Sequence, residues 1–271
     1  SEWADIIARG TGGANAGHTI CIGDETHIFN LIPSGILRDR DGKINIIGNG
    51  VAVDPFIIRR ELRVLQEKGL TCEHLMIAHN AHLVLPQHLV MDRIRESSAG
   101  SSKIGTTGRG IGPLYTDHVA RIGLQVVDLL NKDTFVKKLK RNMADKVVYL
   151  RTCDQEVVEK TMSHAHLANG DFYNSSSIFN FDAIVEAYED HARALGWMIR
   201  DTDAFLRGCV GTKKILLEGV QGVVMNENCD RPLRRQQMPR VFDRVLQPYQ
   251  SSIGASGARE VIHGSNSSEQ T

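Results

Sequence analysis

Apolar residues recur at helical spacing in several stretches of this chain and crowd into short β-branched runs in others, and the two kinds of segment alternate. Over 54–69, Ile58, Leu62 and Leu65 share one face, Asp54 offers a cap, Pro55 sits at the first helical position and Gly69 at the stop. The stretches 86–97 and 133–150 predict further helices. Over 181–199, Ile184, Tyr188, Leu195 and Met198 stand at helical spacing behind Asp182. The runs 19–22, 44–47, 75–78 and 214–217 read as strands bounded by Gly, Asp or Asn. Residues 151–180 read as a helix followed by a polar loop, and no internal repeat is present. Strands separated by helices predict an α/β fold, a mostly parallel sheet flanked by helices.

Composition narrows the function classes. With 271 residues, 41% hydrophobic and 24% charged, the chain can bury one or two substantial cores. Its 32 basic and 32 acidic residues balance, which argues against a general nucleic-acid binder or a binder of anionic membranes, so any anion site must be local. No apolar run approaches the roughly 20 residues that cross a bilayer, and no signal peptide opens the sequence. Five scattered cysteines, Cys21, Cys72, Cys153, Cys209 and Cys229, suggest reduced thiols in a cytoplasmic protein rather than a disulfide framework.

The chemistry concentrates at 104–113, where four glycines, two threonines and one arginine fall within ten residues of KIGTTGRGIGPLYTDHVARI. Glycine lets backbone N–H groups approach an anion, threonine adds hydroxyl donors and arginine a charged fork, which together make a phosphate cradle. Taken alone, the run could also be a Gly-rich surface loop. It is accompanied, in order along the chain, by GGANAGHT (12–19), LIPSGILR (31–38), IGNGVAVD (47–54) and LLEGVQG (216–222).

Together these motifs resemble the adenylosuccinate synthetase family, GTP-dependent ligases that join L-aspartate to inosine monophosphate (IMP). The strong resemblance covers about 9–130 and 214–222. It implies a P-loop-NTPase-like fold, here incomplete: a partial family domain over 1–222 and an unmatched, poorly ordered tail over 223–271. The Gly-Asp-Glu-Gly-Lys-Gly-Lys loop with which such enzymes hold GTP phosphates is not found, nor are their Thr-Ser-Ser, arginine-rich aspartate-binding and Lys-x-Asp guanine segments. The resemblance therefore implies an internal fragment without useful turnover by itself. The alternative is a non-catalytic remnant that binds a nucleotide phosphate.

The family's reaction has four demands. The C6 carbonyl oxygen of IMP leaves poorly, so GTP phosphorylates it before the aspartate amine attacks. A base, an oxyanion donor, an acid near the β-phosphate and a cationic clamp are required. By resemblance, His18 is the catalytic histidine that donates toward the departing phosphate, a task suited to a ring that changes charge near neutral pH. Gly17 offers a backbone carbonyl to Mg²⁺, and Gly17, His18 and Thr19 meet GTP. Asn15, Ala16, Gly17 and His18 contact IMP. Thr107 binds the IMP 5′-phosphate, Arg121 reaches that phosphate from the other subunit of a homodimer, and Gln221 donates to the purine O6. His18, Thr107 and Gln221 are expected to face one cleft. Glu218 reads as a strand-end carboxylate outside the site.

Two other clusters carry less. Cys72, His74, His79, His82 and His88 have no recognised zinc spacing. Arg231, Arg234, Arg235, Arg240 and Arg244 form a basic run in the tail that reads as solvated rather than RNA-binding.

Overall fold

The strand IIARGTG, β1 (Ile6–Gly12), is buried over its first five residues, arginine included. It belongs to a computed structural model in which the described residues are 3–15, 17–98, 106–163 and 181–219. Outside the main sheet, β2 (His18–Ile22) and β3 (Glu25–Phe29) form an antiparallel hairpin. The run 19–22 is thus a strand as expected but pairs only with its neighbour. The long strand β4 (Ile44–Val53), then β5 (Leu75–Ala78), β6 (His82–Leu83), β7 (Ile199–Arg200) and β8 (Ile215–Glu218) complete the set. The main sheet has the order β7-β5-β4-β1-β8, with β6 on the distal end of β4, and all its pairings are parallel.

Parallel strands need crossovers, and helices on both faces supply them. Successive residues of β4 divide between the two cores: Ile46 packs with Ile6, Ala8 and Leu206, while Ile47 joins the larger cluster on the opposite face. On that side lies α1 (Pro55–Glu67), started by Asp54, whose carboxylate accepts from the Phe56 and Ile57 N–H groups at 3.0 and 3.3 Å. Then come α2 (Pro86–Ser98), α3 (Ile111–Val119), α4 (Lys132–Thr152), α5 (Gln155–Ser163) and α6 (Phe181–Leu195). The other face is covered by α7 (Thr202–Cys209), which contributes Leu206. Among the described residues, no helix is long and apolar enough to cross a membrane.

The helix expected over 181–199 ends at Leu195. Gly196–Met198 forms a short 3₁₀ turn, and Ile199 and Arg200 add an edge strand beside β5. Between β1 and β4 the register shifts from Arg9 to Thr11. Gly48 permits the close approach there, since a Cβ on it would lie 2.9 Å from the Arg9 carbonyl oxygen.

Candidate functional site

In an open parallel sheet, ligands are met at the carboxyl ends of the strands. GGANAGHT leaves that end of β1, IGNGVAVD forms that end of β4, and the LLE of LLEGVQG ends β8. Arg9 and Glu218 are register partners on β1 and β8. Arg9 is 1% exposed, and its Nη1 donates to His18 Nδ1 at 3.1 Å and stands 3.9 Å from Glu218 Oε1. Glu218 Oε1 also lies 3.6 Å from His18 Nε2, and its Oε2 accepts from the Ser34 N–H at 2.8 Å. Glu218 is therefore part of this cluster, contrary to its reading as an isolated strand-end carboxylate. It ties the LIPSGILR turn to the end of β8 beside the histidine.

A second carboxylate holds the same turn. Glu61, buried on α1, accepts from the backbone N–H groups of Asn30 at 2.5 Å, Leu31 at 3.2 and 3.3 Å and Ile32 at 3.0 Å. Burial pushes its pKa up, against the pull of those hydrogen bonds and of Arg9. The His18 ring, in contact with Phe29, has its pKa lowered chiefly by burial. Glu218 opposes that shift, Arg9 adds to it, and the Ile32 carbonyl opposes it. The expected charge change near neutral pH is thus displaced toward acid, and the ring is held neutral.

The Gly-rich segment approaches from α3. A Cβ on Gly13 would meet Ile111 Cδ1 at 2.6 Å, and the Tyr115 hydroxyl donates to the Gly50 carbonyl at 3.0 Å. The first turns of α3 therefore sit on the loops that follow β1 and the motif within β4. Thr107 is exposed just before them. Gly110 has φ +75°, its N–H donates to the buried Asp92 carboxylate at 2.9 Å, and a Cβ there would lie 2.8 Å from His88 atoms. Behind this loop His88, Asp117, Asn142, Lys146 and Gln87 form a buried hydrogen-bonded network joining α2, α3 and α4.

Arg121 stands at the other end of α3, about 15 Å along the axis from Ile111 at 1.5 Å per residue. It is exposed and has φ 58°, rare for a side chain of its size. Asn15, Gly17 and Thr19 are exposed beside the partly buried His18. Ala16 and Gln221 lie outside the described residues, as do Cys229, the tail 223–271 and its arginines.

The remaining histidines are spread among different partners. His74 faces Asp39 at 3.4 Å, His79 meets the Arg200 carbonyl at 3.2 Å and His88 meets Asp117. Burial pushes the Cys72 thiol up to about 12, with help from Asp39. Among the described residues no group of three or more His, Cys, Asp or Glu side chains could hold a metal ion.

Sequence reasoning passed over Arg9 and Glu61 and left Glu218 out of the site. Arg9 left a readable signal, a charge inside an otherwise buried strand, which a protein tolerates only with partners. Nothing local in the sequence distinguishes Glu61 from the other carboxylates of an amphipathic helix.

A sequence profile of the adenylosuccinate synthetase family matches residues 1–230. The adenylosuccinate synthetase of Streptococcus sanguinis is 39% identical over 224 residues, covering 82% of this chain and 47% of that protein. That of Ligilactobacillus salivarius is 38% identical over 227 residues, covering 83% and 48%. A solved structure of fully ligated adenylosuccinate synthetase from Plasmodium falciparum superposes with a TM-score of 0.60 at 26% identity, covering 82% of this chain and 46% of that one. The chain thus spans about half the length of the curated relatives it matches. With its parallel sheet, its motif-bearing strand ends and a match over most of its length, the chain belongs to the adenylosuccinate synthetase family.

Proposed function

We propose that this chain forms the IMP-facing part of a purine-biosynthetic ligase that joins L-aspartate to IMP with GTP, giving adenylosuccinate, GDP and phosphate. The observation that carries the reading is the held ring of His18 at the ends of β1 and β8, with the Gly-rich segment packed on the adjoining loop. His18 donates a hydrogen bond toward the transferring phosphate and so stabilises charge as the bond to GDP breaks. Asn15, Ala16 and Gly17 line the nucleotide. Thr107 binds the 5′-phosphate, and Gln221 donates to the oxygen that leaves C6. Arg121, exposed beyond the far end of α3, is taken to serve the site of the other copy in a homodimer. Gly17 and Thr19 beside His18 serve GTP.

Mg²⁺ fits this region only in part. The Gly17 residue lies on an exposed turn where a hard cation can take its carbonyl oxygen. Among the described residues no cluster of acidic side chains adds to it, so the remaining ligands would have to come from outside these side chains. Bound there, the ion neutralises phosphate charge. We assign the partial family domain to 1–222 and leave 223–271 outside it.

Calorimetric titration of the chain with IMP and with GTP tests the reading. IMP binding tighter than GTP is the expected result. Tighter GTP, or no response to IMP, overturns it.

A further inference from the structure

We propose that Arg9 is a positioning residue that fixes which nitrogen of His18 carries the proton, leaving Nε2–H as the donor offered to a ligand oxygen. The inference deepens the reading of His18 given above and rests on it only for the ligand's identity. A neutral imidazole has one N–H and one lone-pair nitrogen, whereas a guanidinium has five N–H donors and no acceptor. Arg9 Nη1 stands 3.1 Å from His18 Nδ1. Two donors cannot share that contact, so Nδ1 is the lone-pair nitrogen and the hydrogen belongs to Nε2.

The surroundings of Nε2 agree. Glu218 Oε1, an acceptor, lies 3.6 Å away, just past hydrogen-bond reach. Among the described residues Nε2 meets no acceptor in hydrogen-bond geometry although it is buried and the Ile32 carbonyl lies near the ring. A buried donor without a partner is destabilising, and an oxygen atom entering beside Glu218 would remove that cost. Arg9 is not free to leave: it sits mid-strand on β1, between β4 and β8, 1% exposed, with Glu218 as its register neighbour. The Ser34 N–H fixes that carboxylate from behind at 2.8 Å. Arg9 thus sets the donor's identity, while Glu218 balances the arginine's charge and leaves Nε2–H available.

Two-bond proton–nitrogen spectra of the histidine-labelled chain at neutral pH, with His18 assigned by the His18→Gln variant, read the tautomer directly. In the unaltered chain Nδ1 is expected at the shift of an unprotonated nitrogen and Nε2 at that of a protonated one. Arg9→Met should move both toward the average of the two tautomers, and Arg9→Lys, a donor without an acceptor, should keep the pattern. A proton on Nδ1 or on both nitrogens of the unaltered chain overturns the proposal, as does an unchanged pattern in a folded Arg9→Met. If Arg9→Met does not fold, the unaltered chain and Arg9→Lys decide. The spectra need no substrate, so this proposal and the IMP reading can fail separately.

Discussion

His88 Nε2 and Asp117 Oδ2 meet at 2.9 Å with both side chains at or below 1% exposure, one on α2 and the other on α3. The Leu85 backbone N–H donates to His88 Nδ1 at 3.0 Å, so the ring is neutral and Nε2–H donates to the carboxylate. Asn142 and Lys146 of α4 add two more donors to Asp117. This network stands directly behind the Gly110 turn, which it joins to the three helices.

Removing the carboxylate should therefore unfasten α2, α3 and α4 together. Asp117→Ala removes the buried partner of Lys146 and leaves it only the exposed Asp145, a change worth up to about 3–5 kcal/mol. Urea unfolding should show that loss. A loss under about 1 kcal/mol would mean that water or rearrangement replaces the network.

Acid should weaken the fold in two separate windows. Burial pushes His82 down to about 4, with the neighbouring His118 and His88 adding to the shift, and burial likewise pushes His191 down to about 4. Each ring is neutral in the native state, while the unfolded chain takes up the proton near the ordinary value of about 6.5. Between those values the unfolded state binds more protons, so stability falls as pH drops from about 6.5 to 4. Burial opposes ionisation of Asp117, but hydrogen bonds from His88 and Lys146 outweigh it and hold that carboxyl at about 2. Its contribution is full above its ordinary value and is lost only as pH falls through about 4 to 2. His82→Phe should reduce the first slope to the share left by His191 and leave the second, as measured by unfolding across pH.

What the sequence revealed followed from local signals. The α1 boundaries were legible because Asp54, Pro55 and Gly69 are start and stop chemistry, and Gly69 has φ +75°. The buried strand β1 was not legible, because Gly10, Gly12 and a buried arginine depart from an apolar run, and its partners β4 and β8 lie far along the chain. The helix α3 was hidden inside what reads as a glycine loop, Gly110 supplying its left-handed start. His18, Thr107 and Arg121 were legible through motif resemblance alone. Which atoms meet His18 was not, since Arg9 and Glu218 come to it only through sheet register.

Glu61 should matter more to the LIPSGILR turn than its helical position suggests. Glu61→Ala leaves as many as three backbone donors unpaired, each worth about 1–3 kcal/mol. We expect a loss of about 3 kcal/mol or more in chemical denaturation, with earlier proteolytic cleavage near residues 30–34. Glu61→Gln keeps acceptor capacity and should lose less. Equal losses in both variants would show that the side chain's packing, not its acceptors, holds the turn.

Gly110 tests the phosphate cradle from behind. At φ +75°, with a Cβ 2.8 Å from the His88 backbone, alanine must both strain the chain and push α2. The left-handed conformation alone costs about 1–2 kcal/mol for a residue with a Cβ. Gly110→Ala should lower stability by at least that much and weaken IMP binding in the same titration. Gly112→Ala, where a Cβ meets nothing within 4 Å, is the control and should leave stability nearly unchanged.

Arg121 is held in the left-handed region at φ 58°, and strained residues of this kind concentrate where function needs them. If Arg121 reaches the IMP phosphate of a second copy, stability and binding should respond in opposite directions. Arg121→Gly relieves the strain and should leave stability unchanged or raise it by up to about 1 kcal/mol, the glycine's extra unfolded-state freedom offsetting part of the gain. A charged hydrogen bond is worth about 1.5–3 kcal/mol, so the same variant should weaken IMP by roughly ten- to a hundredfold. Sedimentation should first establish that the variant is dimeric, and calorimetry with IMP then decides. Unchanged IMP affinity in a verified dimer would remove Arg121 from the site and leave its backbone strain without a functional cause.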